Sequence, residues 1–206
     1  MEDDVKVDFS TSFSISLIAP PKSGKTFAMN YLMQKAKPAG WKSIWVISGT
    51  PDAKNYPFTH PSCVHSYNEK IFNAILKTLK EEKEKNGKRK FVICFDDIGM
   101  YSRKIRGNEK LEGLCTLYRH YNCSLIFGCQ YATQMSPTMR ECSQIVISFA
   151  QNNQKSLDLL YEMMGASMDV KNKKEFIKIL KETTSEPFTA LLVNTQEKGY
   201  GSFKAE

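Results

Sequence analysis

An α/β fold built on a mainly parallel central sheet is what this sequence predicts, and three observations predict it. The alternating run Phe13-Ser-Ile-Ser-Leu-Ile18 enters a tight loop and then Phe27–Lys35, whose apolar residues recur at helical spacing. The run Phe91-Val-Ile-Cys-Phe95 is apolar at every position, as a strand covered on both faces must be. Strand-length and helix-length apolar patterns then take turns along the rest of the chain, the order that makes parallel sheets.

Residues 1–10 read as a loose lead-in. After the strand over 13–18, the helix over 27–35 stops at Lys37-Pro-Ala-Gly40, where Pro and Gly end helical hydrogen bonding. Ser43–Ser48 is β-branched and aromatic, a second strand ended by Gly49-Thr-Pro51. Pro57 and Pro61 keep 52–67 a loop, with an extended piece at Cys63–His65. Ile71, Phe72, Ile75, Leu76 and Leu79 give one apolar face to a helix over 69–86, whose charge-dense end stops at Asn86-Gly87. The strand over 91–95 is followed by a polar loop, 99–108, and a helix over 109–121. Ser124–Gly128 is the next strand, ending at Cys129-Gln130. A helical turn over 137–141, a strand over 144–149, helices over 153–164 and 172–183, and a last strand over 189–193 complete the pattern. Residues 194–206 read as a polar tail, and the whole of 1–206 as one domain.

Composition narrows the class. With 41% hydrophobic and 25% charged residues the chain is that of a soluble globular protein, long enough to bury a good core. No apolar run approaches the roughly 20 residues of a membrane span, and Met1-Glu-Asp-Asp4 is no secretion signal. Six cysteines lack C-x-x-C spacing and mostly sit in apolar runs, as free thiols of a reducing, intracellular compartment do. His60 and His65 have no third ligand at metal-binding spacing. A net charge of +7 suits a polyanionic partner.

The chemistry begins in the loop Ala19-Pro20-Pro21-Lys22-Ser23-Gly24-Lys25-Thr26. Strand, tight loop, Gly-Lys-Thr and helix together make a phosphate loop, or Walker A motif. Its N–H groups and the helix N-terminus face the phosphates, where the helix dipole favours negative charge. Lys25 is expected to reach the β- and γ-phosphates of ATP and Thr26 to ligate Mg²⁺, with Phe27 completing the nucleotide-binding stretch. Ala19 stands where the pattern has glycine, which requires a negative φ there. Asp96, closing the apolar strand, is the Walker B carboxylate, expected to hold the Mg²⁺ directly or through water opposite Thr26. Asp97, expected on the other side of the strand end, is placed to take a proton from the attacking water. The plainer alternative is an Asp pair capping a turn.

Gln130 ends a strand expected between those of the two Walker motifs, where an amide holds the lytic water or senses the γ-phosphate. Arg119 is either a cation favouring its helix dipole or a finger donated to a neighbouring subunit's γ-phosphate; Arg140 is the second candidate. The loop Gly99–Lys110 holds Arg103, Lys104, Arg106 and Lys110 directly after the Walker B pair, with Gly99 and Gly107 as flexible joints. Its cations are candidates for DNA phosphates or simply a solvated loop.

The set Ala19–Thr26, Phe91–Asp97, Arg119-His120 and Gln130 resembles the FtsK–HerA superfamily of DNA-pumping P-loop ATPases. The likeness covers about Phe13–Phe149 and is nearest to the viral genome-packaging ATPases of poxviruses, other large DNA viruses and virophages. The interval of eleven residues from Arg119 to Gln130 matches that family's finger-to-sensor spacing. Two departures are Ala19 for glycine and Asp97 for the glutamate common in cellular members. The resemblance implies a RecA-like, ASCE-type three-layer sandwich that hydrolyses ATP with Mg²⁺. It further implies a homo-oligomeric ring, pentamer or hexamer, around double-stranded DNA, with a trans arginine finger and capsid or vertex proteins as further partners. The location implied is the host cytoplasm or viral factory, and the virion.

Two other classes compete. A P-loop nucleoside or nucleotide kinase needs a compact Arg-rich lid, whereas the downstream basic residues here are scattered. A non-catalytic switch would bind ATP without turnover. DNA-stimulated hydrolysis separates the first reading from both.

Overall fold

The computed structural model describes residues 7–105 and 107–205, and strands and helices alternate through most of them. β1 (Ser14–Ile18), β2 (Trp41–Ser48), β3 (Val64–His65), β4 (Lys90–Asp96), β5 (Cys123–Cys129), β6 (Ile145–Ser148), β7 (Thr189–Asn194) and β8 (Gly199–Lys204) form a single sheet. Its order is β3-β2-β4-β5-β1-β6-β7-β8, parallel from β3 to β6 and antiparallel for the last two strands. The strands over 13–18, 91–95 and 124–129 are therefore neighbours, with β5 between β1 and β4 in the register Ile15↔Ile126 and Ile93↔Leu125.

Helices cover both faces. α1 (Lys25–Ala36) packs on one, its Ala28, Met29, Leu32 and Met33 joining Val92, Cys94 and Ile126. On the other, α2 (Glu69–Glu84), α4 (Glu109–Leu117), α6 (Gln154–Met164) and α7 (Lys173–Thr183) bury Phe72, Leu114, Leu160 and Phe176 against Phe91, Ile93, Phe95 and Phe127. Alternate residues of β4 thus belong to opposite cores, which is why the strand reads as an unbroken apolar run. Two short helices, α3 (Ser102–Ile105) and α5 (Pro137–Glu141), sit in connections. Among the described residues no helix is long and apolar enough to cross a membrane.

The structure departs from the sequence reading in three places. The segment 194–206 is no plain tail: it folds back as β8 beside β7, starting from the pair Asn194↔Gly199. Its two glycines and polar residues hid it, because an edge strand needs only one buried anchor, here Phe203. The first part of the expected loop 99–108 is instead helical, with a 3₁₀ turn at Ile98–Tyr101 leading into α3. The helix over 109–121 ends at Leu117 and tightens into a 3₁₀ turn, Tyr118–Tyr121, before left-handed Asn122 (φ 51°) turns the chain into β5.

Candidate active site

Parallel strands end on one side of the sheet, and ligands of such sheets bind in the crevice outside those ends. β1, β4 and β5 deliver Ala19, Asp96 and Gln130 to that side. The backbone N–H of Ala19 still donates to Cys129 O at 2.9 Å, so the loop leaves the sheet only at Pro20. Ser23 closes the loop through its hydroxyl onto Pro20 O, at 2.6 Å. The left-handed positions are Lys22 (φ 65°) and Gly24 (φ 94°), not Ala19, so alanine at the first motif position needs no glycine-like backbone. Gly24 is the N-cap of α1 and offers no side chain, leaving the first-turn N–H groups without a side-chain cap. A cleft of about 450 Å³ opens there, lined by Pro20–Lys22, Gly24–Phe27, Asp97, Gln130 and Phe188.

Beneath the cleft, Asp96 is almost fully buried, and a buried carboxylate without partners would cost several kcal/mol. Four groups answer it. Lys25 Nζ lies on Oδ1, Thr26 Oγ1 donates to Oδ2 at 3.2 Å, and the Asp97 N–H donates to Oδ1 at 2.9 Å. The Tyr56 hydroxyl stands 2.9 Å from both Asp96 Oδ2 and Ser48 Oγ; having one hydrogen, it donates to the anion. Burial pushes the Tyr56 pKa well up, and the adjacent Asp96 charge adds to it, so the phenol stays a donor. Burial works against the Lys25 ammonium, but Asp96 and Asp97 overcome it and hold its pKa above the ordinary 10.5. The two oxygens of Thr26 and Asp96 fit a small dication. Hydroxyl and carboxylate oxygens are the donors such hard cations take, so these two residues would hold Mg²⁺.

Asp97 differs from expectation. Its φ of 52° turns the chain back at the strand end, and its Oδ1 meets the same Lys25 ammonium at 2.8 Å instead of facing away from it. It remains about a quarter exposed and lines the cleft. Gln130 lines it too, its N–H held by Gln134 Oε1 at 2.8 Å and its carbonyl accepting from Gln151 Nε2 at 3.3 Å.

Glycines mark where the network is tightest. A Cβ at Gly128 would stand 2.7 Å from Asp96 Oδ1, and one at Gly49 3.2 Å from the Asp97 Cβ and carbonyl. Gly99 is no free joint: a Cβ there would meet Gln134 Nε2 at 2.2 Å, so close packing explains it. Gly107 has a φ of 72°, which side-chain-bearing residues rarely adopt, and no described atom beyond its chain neighbours lies within 4 Å of where its Cβ would be.

Other predicted residues lie away from the cleft. Arg119 sits in the 3₁₀ turn before β5, at the opposite end of the sheet, its Nε donating to Tyr118 Oη at 3.0 Å. Arg140 is there too, its Nη1 donating to Met135 O at 2.8 Å. Neither reaches the phosphate loop of its own chain. Lys104 is exposed on α3, and Lys110 Nζ donates to Asn73 Oδ1 of α2 at 2.9 Å. Arg106 and the Arg103 side chain lie outside what the structure describes. Tyr56, Gln134 and Phe188 belong to the site without any motif to flag them; Phe188 follows Pro187 directly before β7.

The chain matches the family described as Poxvirus A32 protein over residues 6–196. It is 24% identical over 195 residues to the uncharacterised protein 075L of Invertebrate iridescent virus 6, covering 92% of this chain and 73% of that one. Among solved structures it is similar to the genome packaging NTPase B204 of Sulfolobus turreted icosahedral virus 2 in complex with ATP-gammaS. That likeness has a TM-score of 0.68 at 14% identity, covering 96% of this chain and 98% of B204. The cytoplasmic domain of the type VII secretion ATPase EccC of Thermomonospora curvata aligns with a TM-score of 0.65 at 11% identity, over 93% of this chain and 25% of that one. The shared fold is that of P-loop ATPases.

Proposed function

This chain belongs to the Poxvirus A32 protein family, and from that premise we propose that it is a genome-packaging ATPase that drives double-stranded DNA into a viral capsid. The observation that carries the catalytic half is the convergence of Lys25, Thr26, Asp96 and Asp97 on one point at the strand ends, with Thr26 Oγ1 and Asp96 Oδ2 3.2 Å apart. Thr26 and Asp96 would hold Mg²⁺, which when bound offsets the charge on the β- and γ-phosphates. The N–H groups of the loop and of α1's first turn bind the phosphates, and Lys25 leaves its two carboxylates to meet them. Release of Lys25 frees Asp97 to accept a proton from water, which Gln130 orients from the neighbouring strand.

Arg119 acts from the next subunit of a homo-oligomeric ring, pentamer or hexamer, with Arg140 as the second candidate. The segment around α3, with Arg103, Lys104, Arg106 and Lys110, faces the DNA and binds phosphates without reading sequence. The work is done in the host cytoplasm or viral factory, against a capsid or vertex protein.

ATP turnover measured with and without duplex DNA, alongside the mass of the assembly, tests this. DNA-stimulated, Mg²⁺-dependent hydrolysis by a multi-subunit species is expected. Turnover indifferent to DNA would remove the translocation reading, and binding without turnover would leave a nucleotide switch.

A further inference from the structure

Only a few large apolar side chains are strongly exposed among the described residues, and two of them wall the same cleft: Phe27 at 59% and Phe188 at 60%. Phe27 is in the first turn of α1, directly after the Gly24-Lys25-Thr26 triplet. Phe188 arrives from 161 positions further along the chain. Topology brings it there: β7 runs antiparallel to β6, so its start lies at the edge where the parallel strands finish. The ring then lies over the phosphate loop, 3.1 Å from where a Cβ on Gly24 would be.

Its backbone is unusual for its size. The Thr189 N–H donates to Glu186 O at 3.3 Å, closing a four-residue turn with Pro187 second and Phe188 third. Phe188 has a φ of 62°, and Pro second with positive φ third is the type II pattern. That third place favours Gly or Asn; a bulky residue there is an outlier held at a free-energy cost, and such outliers gather at ligand clamps. An aromatic ring is therefore held, against local preference, facing water above a phosphate site.

We propose that Phe188 and Phe27 form the nucleobase subsite of this cleft, taking the flat face of a purine whose phosphates lie on the loop. This rests on the nucleotide reading of the cleft given above. Stacking needs only the π-face common to all bases, so ATP and GTP bind within a few-fold of each other and purines bind better than pyrimidines.

Binding of ATP and of inorganic tripolyphosphate, titrated by calorimetry with Mg²⁺ on the full chain, tests it. Phe188→Gly removes the ring and suits the turn. ATP affinity is expected to fall roughly tenfold or more while tripolyphosphate affinity holds and the melting temperature stays or rises. Phe188→Trp keeps ATP affinity. Unchanged ATP affinity in Phe188→Gly overturns the proposal, as does an equal fall for both ligands, which would make the ring a support for the loop. A wild-type chain that binds neither ligand removes the nucleotide reading itself, and this proposal with it.

Discussion

Lys25 carries two tasks that its surroundings reconcile. It neutralises buried Asp96 and part-exposed Asp97, and in the proposed reaction it is the cation that meets the triphosphate. Its pKa is raised, so the ion pair contributes fully below the unfolded value of 10.5 and is lost only as pH climbs through the higher folded value. Nucleotide affinity from about pH 6 to about pH 9 should therefore show no titration from Lys25. Lys25→Ala should abolish hydrolysis and lower stability by up to about 3 kcal/mol, since it strips a buried carboxylate of its ammonium. Turnover near wild type in that variant would end the phosphate-clamp role. Asp97→Asn should keep ATP affinity and slow turnover at least about tenfold, because Asp96 and Thr26 are untouched. A wild-type rate would assign the water to another group. Lys25, Thr26 and Asp96 were legible in the sequence because each lies in a contiguous pattern whose flanks state its structure. Tyr56 was not: its hydroxyl reaches Asp96 from a proline-broken loop, and nothing local distinguishes it from an ordinary core tyrosine.

At the scale of elements, β5 shows how a strand serves the site without contributing a catalytic group from its interior. It is buried along its length, and Gly128 lets the Asp96 carboxylate, the Lys25 stem and Met29 approach its backbone. Gly128→Ala would put a methyl 2.7 Å from Asp96 Oδ1, with Met29 Cε at 3.2 Å and Lys25 Cδ at 3.4 Å. Crowding of that kind costs about 1–3 kcal/mol, and here it falls on the group that positions Thr26. The variant should melt lower and bind ATP more weakly; an unaltered melting point and affinity would show that the carboxylate has room to move. The central strands β2, β4, β5 and β6 could be read from their apolar runs because parallel strands inside a sheet are buried on both faces. β8 could not, since an edge strand pairs through its backbone and here buries only Phe203. Phe188 shares that obscurity, because only the antiparallel return of β7 carries it to the phosphate loop.

For the whole molecule the decisive fact is the distance between the two halves of the proposed catalytic set. β5 spans seven residues, Cys123–Cys129, which at ~3.3 Å per residue separates Arg119 from Gln130 by about 20 Å or more, beyond any side chain's reach. Arg119 also borders a cleft of about 500 Å³ lined by Cys115, Tyr118, His120 and Cys142, on the side away from the phosphate loop. Within one chain it is therefore no part of the site, and it can act on phosphate only across a subunit boundary. The proposed head-to-tail ring would supply that boundary, since such a ring sets one surface of each subunit against a different surface of the next. Arg119→Ala should bind ATP normally and fail in turnover, whereas Lys25→Ala fails through its own phosphate loop. Mixed one to one, the two inactive proteins should recover about a quarter of wild-type turnover, because half the sites keep Lys25 and half of their neighbours keep Arg119. Wild-type-like activity of Arg119→Ala alone would dismiss the finger at once. No recovery at any mixing ratio, with mixed assemblies verified by mass, would make Arg119 a structural partner of Tyr118 and turn attention to Arg140.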